Sequence, residues 1–190
     1  MKPAAHPALA LIELSSIGRG VRVLDVVAKK ADVRVHTAMP VSSGKYLLVF
    51  TGNVGEVEES LREGLAAGGT TVIHQLLLPH VHEGVVAAMA GRIAAKDVDA
   101  LAIVELLSLA TTVSAADAAA KAANVTLLEI RLGQGIGGKG FFTLTGAQGD
   151  VEAAIAAATV VAERDGFLAG VEVIPRPHAD LVENLTRRVS

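Results

Sequence analysis

The chain repeats itself, and no other feature constrains its fold as strongly. Ala10-Leu11-Ile12-Glu13-Leu14 recurs 92 residues later as Ala102-Ile103-Val104-Glu105-Leu106. At the same displacement of 92, Asp25, Lys29, Ala31, Asp32 and Val33 meet Asp117, Lys121, Ala123, Asn124 and Val125. The displacement grows to 94 where Gly44-Lys45 meets Gly138-Lys139, Thr51-Gly52 meets Thr145-Gly146, and Gly55-Glu56-Val57-Glu58 meets Gly149-Asp150-Val151-Glu152. It reaches 96 at Pro79 with Pro175 and at His82 with His178. A period held this far, growing only in small steps, marks one folding unit present in tandem, with short insertions at loops. The join is expected near Gly91–Val98, where Lys96 and Asp97 restore polarity, giving domains 8–96 and 97–190.

Each copy reads in the same order. A short apolar strand (Ala8–Leu14; Leu101–Leu106) leads through small residues into an amphipathic helix (Ile17–Ala31; Thr111–Ala123). A second strand (Val33–Thr37; Thr126–Leu132), a loop and a third strand (Lys45–Thr51; Lys139–Thr145) end at a Thr-Gly turn. A helix follows, opened by Gly-Glu/Asp-Val-Glu, whose acids suit the positive end of the helix dipole. A last strand runs into Pro79 or Pro175. Strand, helix, strand, strand, helix, strand is the order of a ferredoxin-like α/β sandwich. In the second copy the second helix (Val151–Arg164) is almost wholly alanine and valine, which predicts close packing against a sheet with little room for a ligand.

Composition narrows the function. There are no cysteines, so disulfides, thiol nucleophiles, thiolate zinc sites and cysteine-ligated iron–sulfur clusters are excluded. The net charge of −3 carries no basic stripe for nucleic acid. The longest apolar run of helical character, Ala153 to Ala162, is ten residues and too short for a bilayer. With no signal-peptide apolar region before Glu13, the expectation is a cytoplasmic protein that uses neither membrane nor nucleic acid.

The stretch RLGQGIGGKGFF, Arg131 to Phe142, contains G-x-x-x-x-G-K, the start of a phosphate-binding loop. That motif needs Ser or Thr after the lysine and a helix behind it. Here Gly140 follows Lys139, and Phe141-Phe142-Thr143-Leu144-Thr145 reads as a strand. The glycines therefore belong to a hairpin or close-approach loop. Catalysis also finds little footing: Ser15, Ser16 and Ser108 lack a nearby base with an orienting partner, and Glu13 and Glu105 are duplicated alike. His80-Val81-His82 alternates as a strand would, placing two imidazoles on one face, but no third metal ligand is evident. No cofactor or metal is expected.

Over nearly the whole length, from about Leu9 to Leu185, these motifs resemble the tandem-domain, trimer-forming shell proteins of bacterial microcompartments. The strand Ala102-Ile103-Val104-Glu105 is similar to the family's opening strand, and Lys121-Ala122-Ala123-Asn124-Val125 to its edge-lysine segment, with Lys29 in the equivalent place. Gly135-Ile136-Gly137-Gly138-Lys139 resembles its pore loop, and Ile174-Pro175-Arg176-Pro177-His178 its C-terminal lattice motif. The resemblance implies a homotrimer acting as a pseudohexameric tile, joined at its edges to other shell proteins, hexameric and pentameric, around a set of enzymes. It implies a structural role without catalysis, a central pore passing small metabolites or cofactors, and a place in the microcompartment shell within the cytoplasm. Pore-lining candidates are Ser42, Ser43 and Gly44 from the first domain and Ile136, Gly137 and Gly138 from the second. Lattice-edge candidates are Lys29, Lys121, Asn124, Arg176, His178 and His80.

The likeness is greatest to members whose first pore loop holds an iron–sulfur cluster through a cysteine. This chain departs there: the aligned residue is Ser42, whose hydroxyl does not replace a thiolate, so the electron-carrying role is not implied. Pro175 and Pro177 suggest an extended, exposed segment that holds Arg176 out as a rigid fork. The first copy has His80 and Val81 where the second has Arg176 and Pro177, so the two kinds of edge are expected to differ. The alternative is a ferredoxin-like regulatory trimer holding a nucleotide or other small molecule in the Gly133–Gly140 loop.

Overall fold

Alternate residues of the opening strand point to opposite faces. Ala8, Ala10, Ile12 and Leu14 of β1 (Ala8–Leu14) therefore share one side and join one buried cluster. The computed structural model describes residues 7–95 and 98–186; the expected boundary between Lys96 and Asp97 lies outside them. The chain divides into two compact units, Met1–Val81 and His82–Ser190.

In the first unit β1 is followed by α1 (Ile17–Lys30), β2 (Arg34–Val41), β3 (Lys45–Gly52), α2 (Val54–Gly68) and β4 (Val72–Leu78). The antiparallel sheet runs β2-β3-β1-β4, so the first strand in sequence is internal. Ser16 starts α1 by accepting the Arg19 amide at 3.2 Å, satisfying one of the donors a helix start leaves open. Val23 and Val27 of α1 and Val57 and Leu61 of α2 complete the cluster with Ile12, Leu14, Leu48 and Phe50.

The second unit contains α3 (Glu83–Ala90), β5 (Ala100–Leu106), α4 (Leu109–Ala122), β6 (Thr126–Leu132), β7 (Gly140–Gly146), α5 (Gln148–Arg164), β8 (Leu168–Pro175) and α6 (Ala179–Thr186). Its sheet runs β6-β7-β5-β8, the same topology. Ser108 caps α4 through the Thr111 amide, repeating Ser16. The alanine face of α5 packs against α4 as well as against strands β5, β7 and β8. The two units are thus two copies of one α/β sandwich, as the repeat predicts.

Three features differ from the sequence expectation. β2 continues past Thr37 to Val41, through Pro40. Proline is tolerated there because β2 is an edge strand, where a missing N–H costs no ladder bond. The bulge in β2 falls at His36, whose ring bonds the Thr51 hydroxyl at 2.7 Å. Burial, with Arg34 beside it, pushes the His36 pKa below its usual value. Finally, α3 and α6 follow the last strand of each copy, where no helix is expected from the pattern.

Ser60 on α2 is fully buried, and its hydroxyl is the one buried side-chain polar atom without a partner among the described residues. The second copy has Ala154 at the position 94 residues later. A buried unsatisfied hydroxyl costs about 1–3 kcal/mol. Ser60→Ala is therefore expected to raise stability by about 1 kcal/mol, measured as a higher urea midpoint at unchanged slope; a lower midpoint would mean the hydroxyl has a partner.

Candidate functional site

The candidate residues sort to opposite ends of each sheet. In the first unit Leu14 of β1 pairs with Tyr46, so the β2–β3 tip, Ser42–Gly44, lies at the Leu14 end. At the other end Ala8 pairs with Gly52, and a Cβ on Gly52 would lie 3.3 Å from the Asp32 carbonyl oxygen. Lys29, in the last turn of α1, therefore belongs to that end. His80 does too, because it follows β4, which ends at Leu78 beside Leu9.

The second unit repeats the division. Leu106 pairs with Gly140, so the β6–β7 tip lies at that end. Ala100 pairs with both Gly146 and Pro175 at the other. A Cβ on Gly146 would meet the Asn124 carbonyl oxygen at 3.1 Å, which puts Lys121 and Asn124 there. Arg176 and His178, directly after β8, complete the group. Tip residues and edge candidates thus stand a strand length apart, about 20 Å at 3.3 Å per residue.

The two tips are built differently. The first is a three-residue turn in which Ser43 (φ 66°) and Gly44 (φ 71°) are both left-handed. Ser42 is half-buried, and Ser43 and Gly44 are exposed. The second runs Gly133–Lys139 and holds Gly133, Gly135, Gly137 and Gly138 at φ between 65° and 85°. Four left-handed residues in one loop need glycine, since a Cβ there crowds the following carbonyl. The Gly133 amide donates to the Lys139 carbonyl at 3.0 Å and closes the loop; Ile136 is half-buried and Gly137 exposed. β7 follows directly, so no helix N-terminus faces the loop and the nucleotide reading finds no support.

An ion pair ties the base of each tip to its central strand. Lys45 Nζ lies 2.7 Å from Glu13 Oε1, with the Glu13 side chain only 2% exposed. Lys139 Nζ lies 3.0 Å from Glu105 Oε2, with both side chains about half exposed. The duplicated strand carboxylates thus anchor lysines.

At the opposite ends, Lys29 Nζ pairs with Asp25 at 2.7 Å and Lys121 Nζ with Asp117 at 2.6 Å, each one helical turn back. Asp25 and Asp117 match in the repeat but carry no role on sequence alone; the i,i+4 spacing to each lysine is the signal that finds them. The segment after Pro175 is not extended: Arg176 is left-handed (φ 48°), and its amide donates to the Asp99 carbonyl at 2.7 Å. Nor do His80 and His82 share a strand. β4 ends at Leu78, and His82 caps α3 by accepting the Gly84 amide on Nδ1. His178 does the same for α6 with the Asp180 amide, at 3.3 Å. Among the described residues no group of three His, Cys, Asp or Glu could hold a metal ion, and no helix is long and apolar enough to cross a membrane.

This duplicated sandwich, with a hairpin tip at one end of each sheet and a capped lysine helix at the other, matches the BMC domain model twice, over residues 8–81 and 100–177. The chain belongs to the BMC domain family, carries two such domains in tandem, and is a shell protein of a bacterial microcompartment. It is 36% identical over 174 residues to the bacterial microcompartment shell protein PduT of Citrobacter freundii, covering 92% of this chain and 95% of that one. The shell protein EutM of Escherichia coli K12 is 42% identical over 88 residues, 86% of its own length but 45% of this chain. Among solved structures, a microcompartment protein from Desulfitobacterium hafniense superimposes with a TM-score of 0.88 at 40% identity, covering 93% of this chain and 98% of that one. A fused, permuted hexameric shell protein shares the fold, with a TM-score of 0.63 at 23% identity.

Proposed function

We propose that three copies of the chain close into a flat tile of the shell facet. In it Ser42, Ser43, Gly44, Ile136, Gly137 and Gly138 line a central pore, and Lys29, Lys121, Asn124, Arg176, His178 and His80 meet neighbouring tiles. The observation that carries this reading is the sorting of tips and edge candidates to opposite ends of both sheets. A ring with tips inward has the other ends at its rim. The pore would be neutral and hydroxyl-bearing on the first-domain side, passing small metabolites without chemistry, in keeping with relatives named as shell proteins. The rim would join single-domain shell proteins of the kind that match one half of this chain, and the shell would lie in the cytoplasm. Each sequence repeat, 8–96 and 97–190, would supply one position of the ring.

Burial supports a ring. Leu109 and Val113 of α4 are 1% and 0% exposed, whereas their equivalents Ile17 and Val21 on α1 are 42% and 54% exposed. The same helix face is covered in one copy and open in the other, and a second chain would cover it.

Electron microscopy with solution mass tests the tile. Wild-type chain should form particles of three chains that grow into hexagonal sheets. Lys29→Ala with Lys121→Ala should abolish the sheets and leave the particles intact. Sheets persisting in the double variant would refute the rim assignment; a monomeric wild type would refute the tile.

A further inference from the structure

α3 is seated against β6 and α4. Val85 and Ala88 are 0% and 1% exposed. The His82 amide donates to Asp117 Oδ1 at 2.7 Å, and the Ile93 amide donates to the Leu128 carbonyl on the β6 edge at 2.7 Å. Asp117 is filled on both oxygens, because Oδ2 accepts from Lys121, and its side chain is 7% exposed.

The helix, the histidine cap, the aspartate and the strand edge of this seat each have a counterpart in the other copy; in α6 the Asn184 carbonyl accepts from Arg92 Nη1 at 3.1 Å. α6 stands 96 residues after α3, with its own histidine cap. Leu181 and Asn184, the equivalents of Val85 and Ala88, are half-buried and exposed. Asp25, the equivalent of Asp117, spends Oδ2 on Lys29 at 2.7 Å, and no interaction of Oδ1 is present among the described residues; its side chain is 59% exposed. β2 is an edge strand, as β6 is, with its bulge at His36 where β6 has Leu128.

Resting on the trimer reading above, we propose that α6 is a clasp. It docks on the β2 edge and α1 of the next copy of this chain, with the His178 amide donating to Asp25 Oδ1 and Leu181 buried where Val85 is buried in α3. The occupant is a second copy, because α3 already displays this contact with the same histidine cap, the same aspartate and an apolar side chain, Val85 for Leu181, at the buried position. A head-to-tail contact of this kind generates a closed ring when its rotation closes. The clasp gives Asp25 two tasks, holding the arm of the preceding chain through one oxygen and Lys29 of its own helix through the other.

Hydrogen exchange on the full chain, run beside solution mass, tests this. In wild-type trimer the amides of α6 should be protected about as well as those of α3. Asp25→Ala should raise the trimer dissociation constant by about ten-fold or more per contact, since a hydrogen bond to a charged group contributes about 1.5–3 kcal/mol and 1.4 kcal/mol is ten-fold. It should also expose α6 to exchange. Asp25→Asn retains an acceptor oxygen and should recover most of the affinity, while Lys29→Ala should leave trimer affinity and α6 protection unchanged. Asp25 is exposed, so none of these variants threatens folding. An intact trimer whose α6 exchanges freely overturns the clasp and leaves the tile standing. So does an Asp25→Ala chain with wild-type affinity. A monomeric wild type overturns both.

Discussion

Gly20→Thr and Tyr46→Gly are each expected to destabilise the first domain strongly, and together to cost at least about 2 kcal/mol less than their sum. A Cβ on Gly20 would lie 2.6 Å from Tyr46 Cβ and closer still to its ring, near the root of the side chain where it cannot swing away. Overpacking of this kind costs about 1–3 kcal/mol. Removing Tyr46, which is 4% exposed, leaves a cavity worth about 3–5 kcal/mol. The second domain solves the same contact with the sizes exchanged. Thr112 stands where Gly20 does and Gly140 where Tyr46 does, and a Cβ on Gly140 would lie 2.9 Å from Thr112 Cβ. The double substitution therefore imports a solution the chain already contains. Urea midpoints of the four chains give the coupling energy; simple additivity would show that the two positions do not act as one packing unit.

Lys45→Ala should cost about 3 kcal/mol and Lys139→Ala less than about 1 kcal/mol, though the residues are equivalent in the repeat. Glu13 is shut away from water at 2% exposure, and removing its lysine strands a charge, for which about 3–5 kcal/mol is typical. Lys45 itself is 29% exposed, so water entering from its side places the cost at the low end. Glu105 and Lys139 are 49% and 48% exposed, and water replaces a lost partner there. Glu13→Gln combined with Lys45→Met should recover much of the loss, because it removes the stranded charge along with the pair. Equal costs at the two lysines would contradict the buried state of Glu13.

The strands and four of the helices were legible because the repeat doubled every signal. Ala8–Leu14 and Thr126–Leu132 match their expected bounds. The Gly133–Lys139 loop read as a hairpin or close-approach loop between strands from the Phe-Phe-Thr run behind it. Residues whose roles depend on a partner far away in sequence were not legible. α3 is eight residues of mostly small apolar side chains, and its first-turn Glu83 was the one clue to a helix start. A histidine ring as the cap, with Asp117 waiting 35 residues later to accept its amide, has no local signature. Arg176 shows the same limit: two flanking prolines suggest extended chain, yet the residue is left-handed and its amide donates a hydrogen bond to the Asp99 carbonyl.

The separation of hairpin tip and lysine end within each sheet bears on how such a chain can change. A gap of about 20 Å is more than twice the Debye length of roughly 8 Å at physiological ionic strength. A charge introduced at Ser43 or Gly137 is therefore screened before its field reaches Lys29 or Lys121. On the proposed tile, what passes and how the protein tiles would then diverge under separate selection, and a laboratory could retune permeability without rebuilding assembly.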